Sequence, residues 1–340
     1  MAHRRIDVHH HIVPPAYAAW LRAAGVSDAG GRELPEWSVE GALGLMDEQE
    51  IATAIVSATA PGVHLDPSKG RDPVARAKAR ELNEVAGRMA QDHPDRFGFF
   101  AMLTLPDVDG ALEELTHAFD VLGASGVILL ANTHGRYLGA AHEPLLAELD
   151  RRRAVVFVHP AVLPGPAVEG IPPFAADFLL DTTPAAYQLV RGGAIRRYAA
   201  LKIILSHAGG FVPYASHRLA MAISADTQRA PLEILDDFGL LFRHRAVRHA
   251  CGAAEPARIR EAGSRALRQR LAVRAGAGRG LLHPPARRVR RARCGGPRVG
   301  RSARGGGAVP ALRRGMSSDA SAAWHRARSG HFIRAARARR

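Results

Sequence analysis

Three histidines stand together at His9, His10 and His11, just behind Asp7, in the stretch IDVHHHIVPP. Side chains alternate across a strand, so His9 and His11 share one face and His10 takes the other. A His-x-His pair at a strand end can bring two imidazole nitrogens onto one divalent metal ion. The same spacing on a solvent-facing strand end binds nothing, so the pair alone leaves both readings open. Two later apolar runs end alike: VVFVHP closes on His159 and IILSHAGG carries His207. Separate strands that each deliver a histidine to one rim are much harder to dismiss as surface decoration. The isolated His117, His134 and His142 are read as surface or loop residues.

The elements that must position these histidines alternate between strand-like and helix-like patterns. RRIDVH (4–9), ATAIVSAT (52–59), FGFFAML (97–103), SGVILLA (125–131), AVVFVHP (154–160) and LKIILSH (201–207) are short apolar runs of buried-strand type. Between them, Asp72 and Pro73 supply an N-cap and an N1 proline, ahead of a stripe of Val74, Ala77, Leu82, Val85 and Met89. Leu112, Leu115, Phe119 and Leu122 make a second stripe closed by Gly123, and Pro144 opens a third helix with Leu145, Leu146 and Leu149. Residues 182–198 read as a fourth, weakened at Gly192 and Gly193. Such alternation means parallel strands with helical crossovers. Six strands by residue 207, with no Gly-rich phosphate loop after the first, favour an incomplete (β/α)8 barrel of TIM type over a doubly wound sheet. Barrel enzymes build their sites where the C-terminal strand ends meet, which is where His159 and His207 lie.

The chain has 340 residues, enough for a large core, and a formal net charge of +15. That charge is divided unevenly. Residues 241–340 hold 26 Arg, no Lys and only Glu255, Glu261 and Asp319 as acids, a net of +23. Residues 1–240 hold 21 basic and 29 acidic side chains, a net of −8. The sequence therefore reads as a barrel over 1–240 joined to an Arg-rich segment over 241–340 that is not an independent domain. No run of apolar residues is long enough for a membrane span, and MAHRRIDVHHH has no apolar leader segment. Two cysteines, Cys251 and Cys294, give no disulfide framework, which fits a reducing cytoplasm.

Asp7 to His11, RYLG with PLLAELDRRRAVVFVHP, LKIILSHAGGFVPY and HPDRFGFFAMLTLPD together resemble the decarboxylase branch of the amidohydrolase superfamily over about residues 5–240. That branch includes the 2-amino-3-carboxymuconate-6-semialdehyde, γ-resorcylate and 6-methylsalicylate decarboxylases, the last being the nearest group. The resemblance implies a barrel with one divalent ion, zinc as the first expectation and manganese as the second. It implies His9, His11 and His159 as ligands and His207 as the acid–base group. It also allows a homodimer. The family takes a further aspartate ligand from the end of the eighth strand, in a motif like GSDWP. Nothing here matches it, because the sole Asp after residue 240 is Asp319, in MSSDASAAW.

Arg-rich, Lys-free sequence full of Gly, Ala and Pro is what GC-rich coding DNA yields out of frame. Back-translated with suitable codons and read one base later, SRALRQRLAVR (264–274) gives RVLFGSDWPF, the missing motif. In the same frame LLFRHRAVRHACGAAEPAR permits CYFDTALSGTPAALPSLL, a family-like seventh strand and helix, and GGGAVPAL permits AEALFPR. Residues from about 238 to 312 are accordingly expected to be a frameshift product, with the seventh and eighth strands lost. The competing reading is an Arg-rich tail for nucleic acid. Its aromatics are only Phe242, Trp324 and Phe332, too sparse to stack bases, so no specific nucleic-acid partner is expected.

For the intact family the implied reaction is non-oxidative decarboxylation of a small aromatic or unsaturated carboxylic acid. Imidazole titrates near neutrality, which suits His207 to moving the proton. Asn132, Arg136 and Arg218 are candidate contacts for the substrate's carboxylate or hydroxyl, and equally candidates for structural roles. The same histidines would serve a hydrolase acting on an ester, lactone or amide, and a non-catalytic barrel is a third reading. An unclosed barrel lacking the aspartate is expected to have weak activity or none.

Overall fold

Each of the six apolar runs forms a parallel strand: β1 (Arg5–His11), β2 (Ile51–Ser57), β3 (Phe97–Met102), β4 (Gly126–Leu130), β5 (Val155–His159) and β6 (Lys202–Leu205). This is a computed structural model whose described residues are 5–166 and 168–243. The expected seventh and eighth strands, nearly all of the Arg-rich segment, and Asp319 lie outside them.

Hydrogen-bonded neighbours follow sequence order from β1 to β6. A doubly wound sheet reverses its order at a switch point. This one never does, so every crossover advances by one strand, as in a barrel. A flat sheet would also separate its first and sixth strands by about 24 Å. Yet the ring of His9 on β1 lies 5.1 Å from that of His207, which follows β6. The sheet must therefore curl, and the described residues form an incomplete (β/α)8 barrel.

Alternate residues of β3, β4 and β5 feed two cores. Phe99, Val127, Leu129, Val156 and Val158 pack outward with Leu115, Leu145, Leu149 and Leu189 of the helices. Phe100, Met102, Ile128 and Phe157 belong to a second cluster, with Tyr17 and Leu21. Both faces of these three strands are buried, which is why they read as continuous apolar runs rather than alternating ones. Each fully buried large side chain contributes roughly 1.5–3 kcal/mol.

The helices are α1 (Pro15–Ala23), α2 (Val39–Glu48), α3 (Pro73–Asp92), α4 (Val108–Asp120), α5 (Glu143–Arg151), α6 (Asp177–Arg191), α7 (Ala194–Arg197), α8 (Val212–Thr227) and α9 (Pro231–Arg243). Asp72 caps α3 as expected, its carboxylate accepting from the Val74 N–H at 3.0 Å. The α3 stripe differs from the expected one. Val74 and Ala77 are exposed, and the buried face is Ala75, Ala79, Leu82, Ala86 and Met89. Alanines let this helix lie close to the sheet, so bulk was a poor guide to which side faces in. The 182–198 segment begins earlier, at Asp177, and breaks where foreseen: Gly193, at φ 73°, separates α6 from α7. Between β4 and α5, Asn132–Thr133 pairs antiparallel with Arg136–Tyr137 as a small hairpin.

Candidate metal centre

His9 and His11 come from the C-terminal end of β1. Between Asp7 and His10 this strand carries one more residue than its partner stretch Ala54–Val56, a bulge that re-aims the strand end. Asp7 stabilises it from within, Oδ1 accepting from the His9 N–H at 2.9 Å and Oδ2 lying 3.3 Å from His10 Nδ1. Burial pushes the Asp7 carboxyl up, but the hydrogen bonds from His10 and His9 outweigh it and hold the group below the usual carboxylate range. His10 thus turns to Asp7, while the rings of His9 and His11 meet edge to face at 4.8 Å.

His159, the last residue of β5, is 2 % exposed. Its ring stands 5.1 Å from that of His9 and 4.6 Å from that of His11. One ligand nitrogen from each of the three residues lies within 4.8 Å of the others, and among the described residues this is the one such group of three.

The hydrogen-bond partners decide what those nitrogens can do. His159 Nδ1 is 2.8 Å from the Pro160 carbonyl, and His11 Nδ1 is 3.3 Å from the Ser57 carbonyl. A carbonyl only accepts, so each Nδ1 carries the proton and each Nε2 presents a lone pair. The two Nε2 atoms face each other at 3.1 Å. Two lone pairs so placed repel unless a positive centre lies between them. Nitrogens 2.0–2.1 Å from a tetrahedral zinc ion would be about 3.3 Å apart, so the His11–His159 pair has the spacing of two ligands on one divalent ion, with a His9 nitrogen within 4.8 Å of both. Backbone carbonyls that fix the tautomer of a ligating imidazole are a recurring outer layer of such sites.

His207 sits beside this group, its ring 5.1 Å from that of His9 and 5.5 Å from that of His159. It stands in a sharp turn after β6 in which His207, Ala208, Gly209 and Gly210 all have positive φ. Left-handed backbone is costly for the two non-glycine residues, and the turn re-aims the His207 ring. Ser206 Oγ lies 3.1 Å from its Nδ1. Phe178 of α6 covers the same ring at 5.5 Å, and Phe157 lies against His9 at 5.1 Å. Gly30, at φ 63°, backs Phe178 so closely that any Cβ there would collide with the phenyl ring.

Asn132, Arg136 and Arg218 stand in different surroundings. Asn132 is 2 % exposed, and its amide is used internally: Nδ2 donates to Asp181 at 2.7 Å and Oδ1 accepts from the Gly135 N–H at 2.9 Å. Arg136 is exposed on the hairpin and Arg218 is exposed on α8. Of the histidines read as decoration, His142 is buried at 6 %, and its Nδ1 accepts from the Gly139 N–H. His134 is exposed but bonds to the buried His64 at 3.1 Å. Ser57, Phe178 and Asp181 carried no mark in the sequence. Their parts depend on partners far along the chain, as with His11 and Ser57, 46 positions apart.

Known proteins resemble this chain over much of its described length. The profile of the amidohydrolase family matches residues 6–271, running past the limit of about 240 drawn from motifs alone. The decarboxylase yanB of Aspergillus niger is 41 % identical over 232 residues, covering 64 % of this chain and 61 % of that protein. The 6-methylsalicylic acid decarboxylase acuB of Aspergillus aculeatus is 40 % identical over 223 residues, covering 64 % of this chain and 66 % of the relative. A crystal structure of an amidohydrolase II superposes with a TM-score of 0.61 at 29 % identity, over 66 % of this chain and 74 % of the other. The chain thus spans roughly three-fifths to two-thirds of the length of these curated relatives. Strands in barrel order, histidines converging from three of their ends and a profile match over most of the chain establish that it belongs to the amidohydrolase family.

Proposed function

We propose that this chain holds one divalent ion, zinc before manganese, between His9, His11 and His159. The reaction we assign is the non-oxidative decarboxylation of a small aromatic or unsaturated carboxylic acid of the 6-methylsalicylate kind. The observation that carries the metal is the opposed Nε2 pair of His11 and His159, each with its Nδ1 held by a carbonyl. Two relatives at 40–41 % identity named as decarboxylases support a carboxy-lyase over a hydrolase.

When bound, the ion would supply positive charge that orients the substrate's carboxylate and a neighbouring oxygen and offsets charge developing there. His207 would carry the proton, its ring oriented by Ser206 at Nδ1. Protonation of the carbon bearing the carboxylate precedes loss of carbon dioxide, whose bonding electrons return to the ring. Phe157 against His9 and Phe178 over His207 put apolar rings beside these histidines, which would keep water from this step. Arg136 and Arg218 are retained as carboxylate or hydroxyl contacts, whereas Asn132 enters through the network described below. Among the described residues no carboxylate joins the three histidines, so turnover below the range typical of enzymes, about 1–10³ per second, is part of the proposal. So is a cytoplasmic setting with a small-molecule partner and no membrane or specific nucleic acid. Among the described residues no helix is long and apolar enough to cross a membrane.

The test is to strip the chain with chelator, reload it with zinc or manganese, and supply 6-methylsalicylate labelled in its carboxyl carbon. Labelled carbon dioxide, lost in His159→Ala and in His207→Ala, is the expected result. Incorporation of solvent oxygen into an ester or lactone without carbon dioxide release would make the protein a hydrolase instead.

A further inference from the structure

Pro160 and Ala161 share one peptide group, and its two ends are engaged in opposite directions. The carbonyl, on Pro160, accepts from His159 Nδ1 at 2.8 Å. The N–H, on Ala161, donates to Asp181 Oδ2 at 2.8 Å. Asp181 lies on α6 and is 0 % exposed. Its other oxygen accepts from Asn132 Nδ2 and from the Tyr137 hydroxyl, each at 2.7 Å. All three partners donate, a set that satisfies an ionised carboxylate and leaves no acceptor for a carboxylic acid proton.

We infer that Asp181 is a positioning residue for His159, acting through the Pro160–Ala161 peptide as a carboxylate–peptide–imidazole relay. A negative charge at the N–H end of a peptide polarises it and makes its carbonyl a stronger acceptor, because hydrogen bonds in series reinforce one another where the dielectric is low. The stronger carbonyl fixes the Nδ1–H tautomer of His159 and raises the basicity of Nε2. Carboxylates bonded directly to ligating imidazoles do the same in metal sites; here a peptide group is interposed. The arrangement also explains why the fold accepts the cost of a buried carboxylate. Asp181 ties the segment after β4, through Asn132 and Tyr137, to the segment after β5, through Ala161. The inference rests on the metal reading of the three histidines.

The experiment measures zinc affinity of the full chain against a chromophoric chelator, with melting followed by circular dichroism. Four proteins are compared: wild type, Asp181→Asn, Ala161→Pro and Tyr137→Phe. Asp181→Asn removes the charge, and Ala161→Pro removes the N–H that carries it, so the same link is cut from either side. Tyr137→Phe removes a donor from the same carboxylate but leaves the Ala161 bond in place. The expected result is a loss of zinc affinity of roughly 10-fold or more in both Asp181→Asn and Ala161→Pro. Tyr137→Phe should stay close to wild type in affinity even where its melting temperature falls. If the Asn variant does not fold, Ala161→Pro decides the matter alone. Wild-type affinity in the folded link-cutting variants overturns the relay, as does a loss in Tyr137→Phe equal to theirs. A wild-type chain that takes up no zinc overturns the metal reading itself, and the relay with it.

Discussion

A carboxylate with no water contact must be held by donors, and at Asp181 the balance still leaves a cost. Burial pushes its carboxyl above the usual range, and the bonds from Ala161, Tyr137 and Asn132 only partly offset that. A folded-state value above the unfolded one means that the group's contribution is fully present at low pH. It is lost as pH rises through the folded value. Relative to Asp181→Asn, the wild-type chain should therefore lose stability as pH is raised from about 4, where the unfolded group titrates, to neutrality. Melting temperatures of both proteins across that window test this, and a constant gap would refute it. Together with the zinc titration, this describes a residue that favours the site at the expense of the fold.

At the scale of elements, the opposite sign appears at the start of α4. Asp107 accepts from the Gly110 N–H at 3.1 Å as the helix cap and from Arg76 Nε of α3 at 2.7 Å. Burial pushes its carboxyl up, but the bonds from Arg76 and Gly110 prevail and hold it below the usual range. The stability it gives is present above the unfolded value, about 3.9, and is lost as pH falls through the folded one. Asp107→Ala should cost at least about 1 kcal/mol in urea unfolding at pH 7, the ordinary worth of such a cap. The difference from wild type should shrink as acid protonates the native carboxyl. A deficit that does not change with pH would show that the charge is irrelevant and only packing was lost.

For the whole molecule the decisive feature is a curled sheet whose first and last described strands, β1 and β6, have one hydrogen-bonded neighbour each. Open edges are templates for pairing with another chain. Ile6 on β1 is 51 % exposed, so an apolar side chain marks one of those edges. The chain is expected to self-associate with rising concentration in sedimentation equilibrium, and Ile6→Lys to reduce that association without lowering the melting temperature. Equal association in both proteins would mean that the β1 edge takes no part. The composition break near residue 240 carries its own expectation, a one-base insertion or deletion in the encoding DNA at the join. Independent sequencing across those codons shows either that shift or an intact frame, and an intact frame ends the frameshift reading.

Much of this was legible in the amino-acid sequence by itself, for identifiable physical reasons. Strands buried on both faces leave unbroken apolar runs, which marked β3, β4 and β5 most plainly, and alternation along a strand put His9 and His11 on one side. Proline and glycine marked the start of α3 and the break after α6, because their backbone preferences are local. Other elements left weaker marks. The inward face of α3 is mostly alanine, and α8 lacks the bulky regular stripe that announces a helix. What only the tertiary structure decided was convergence. Curling brings β1 and the turn after β6 together, opposes the Nε2 atoms of His11 and His159, and seats Phe178 over His207. It also sets Asp181 against an asparagine 49 residues away. No local preference encodes such a contact, since it exists only once the intervening strands and helices have packed.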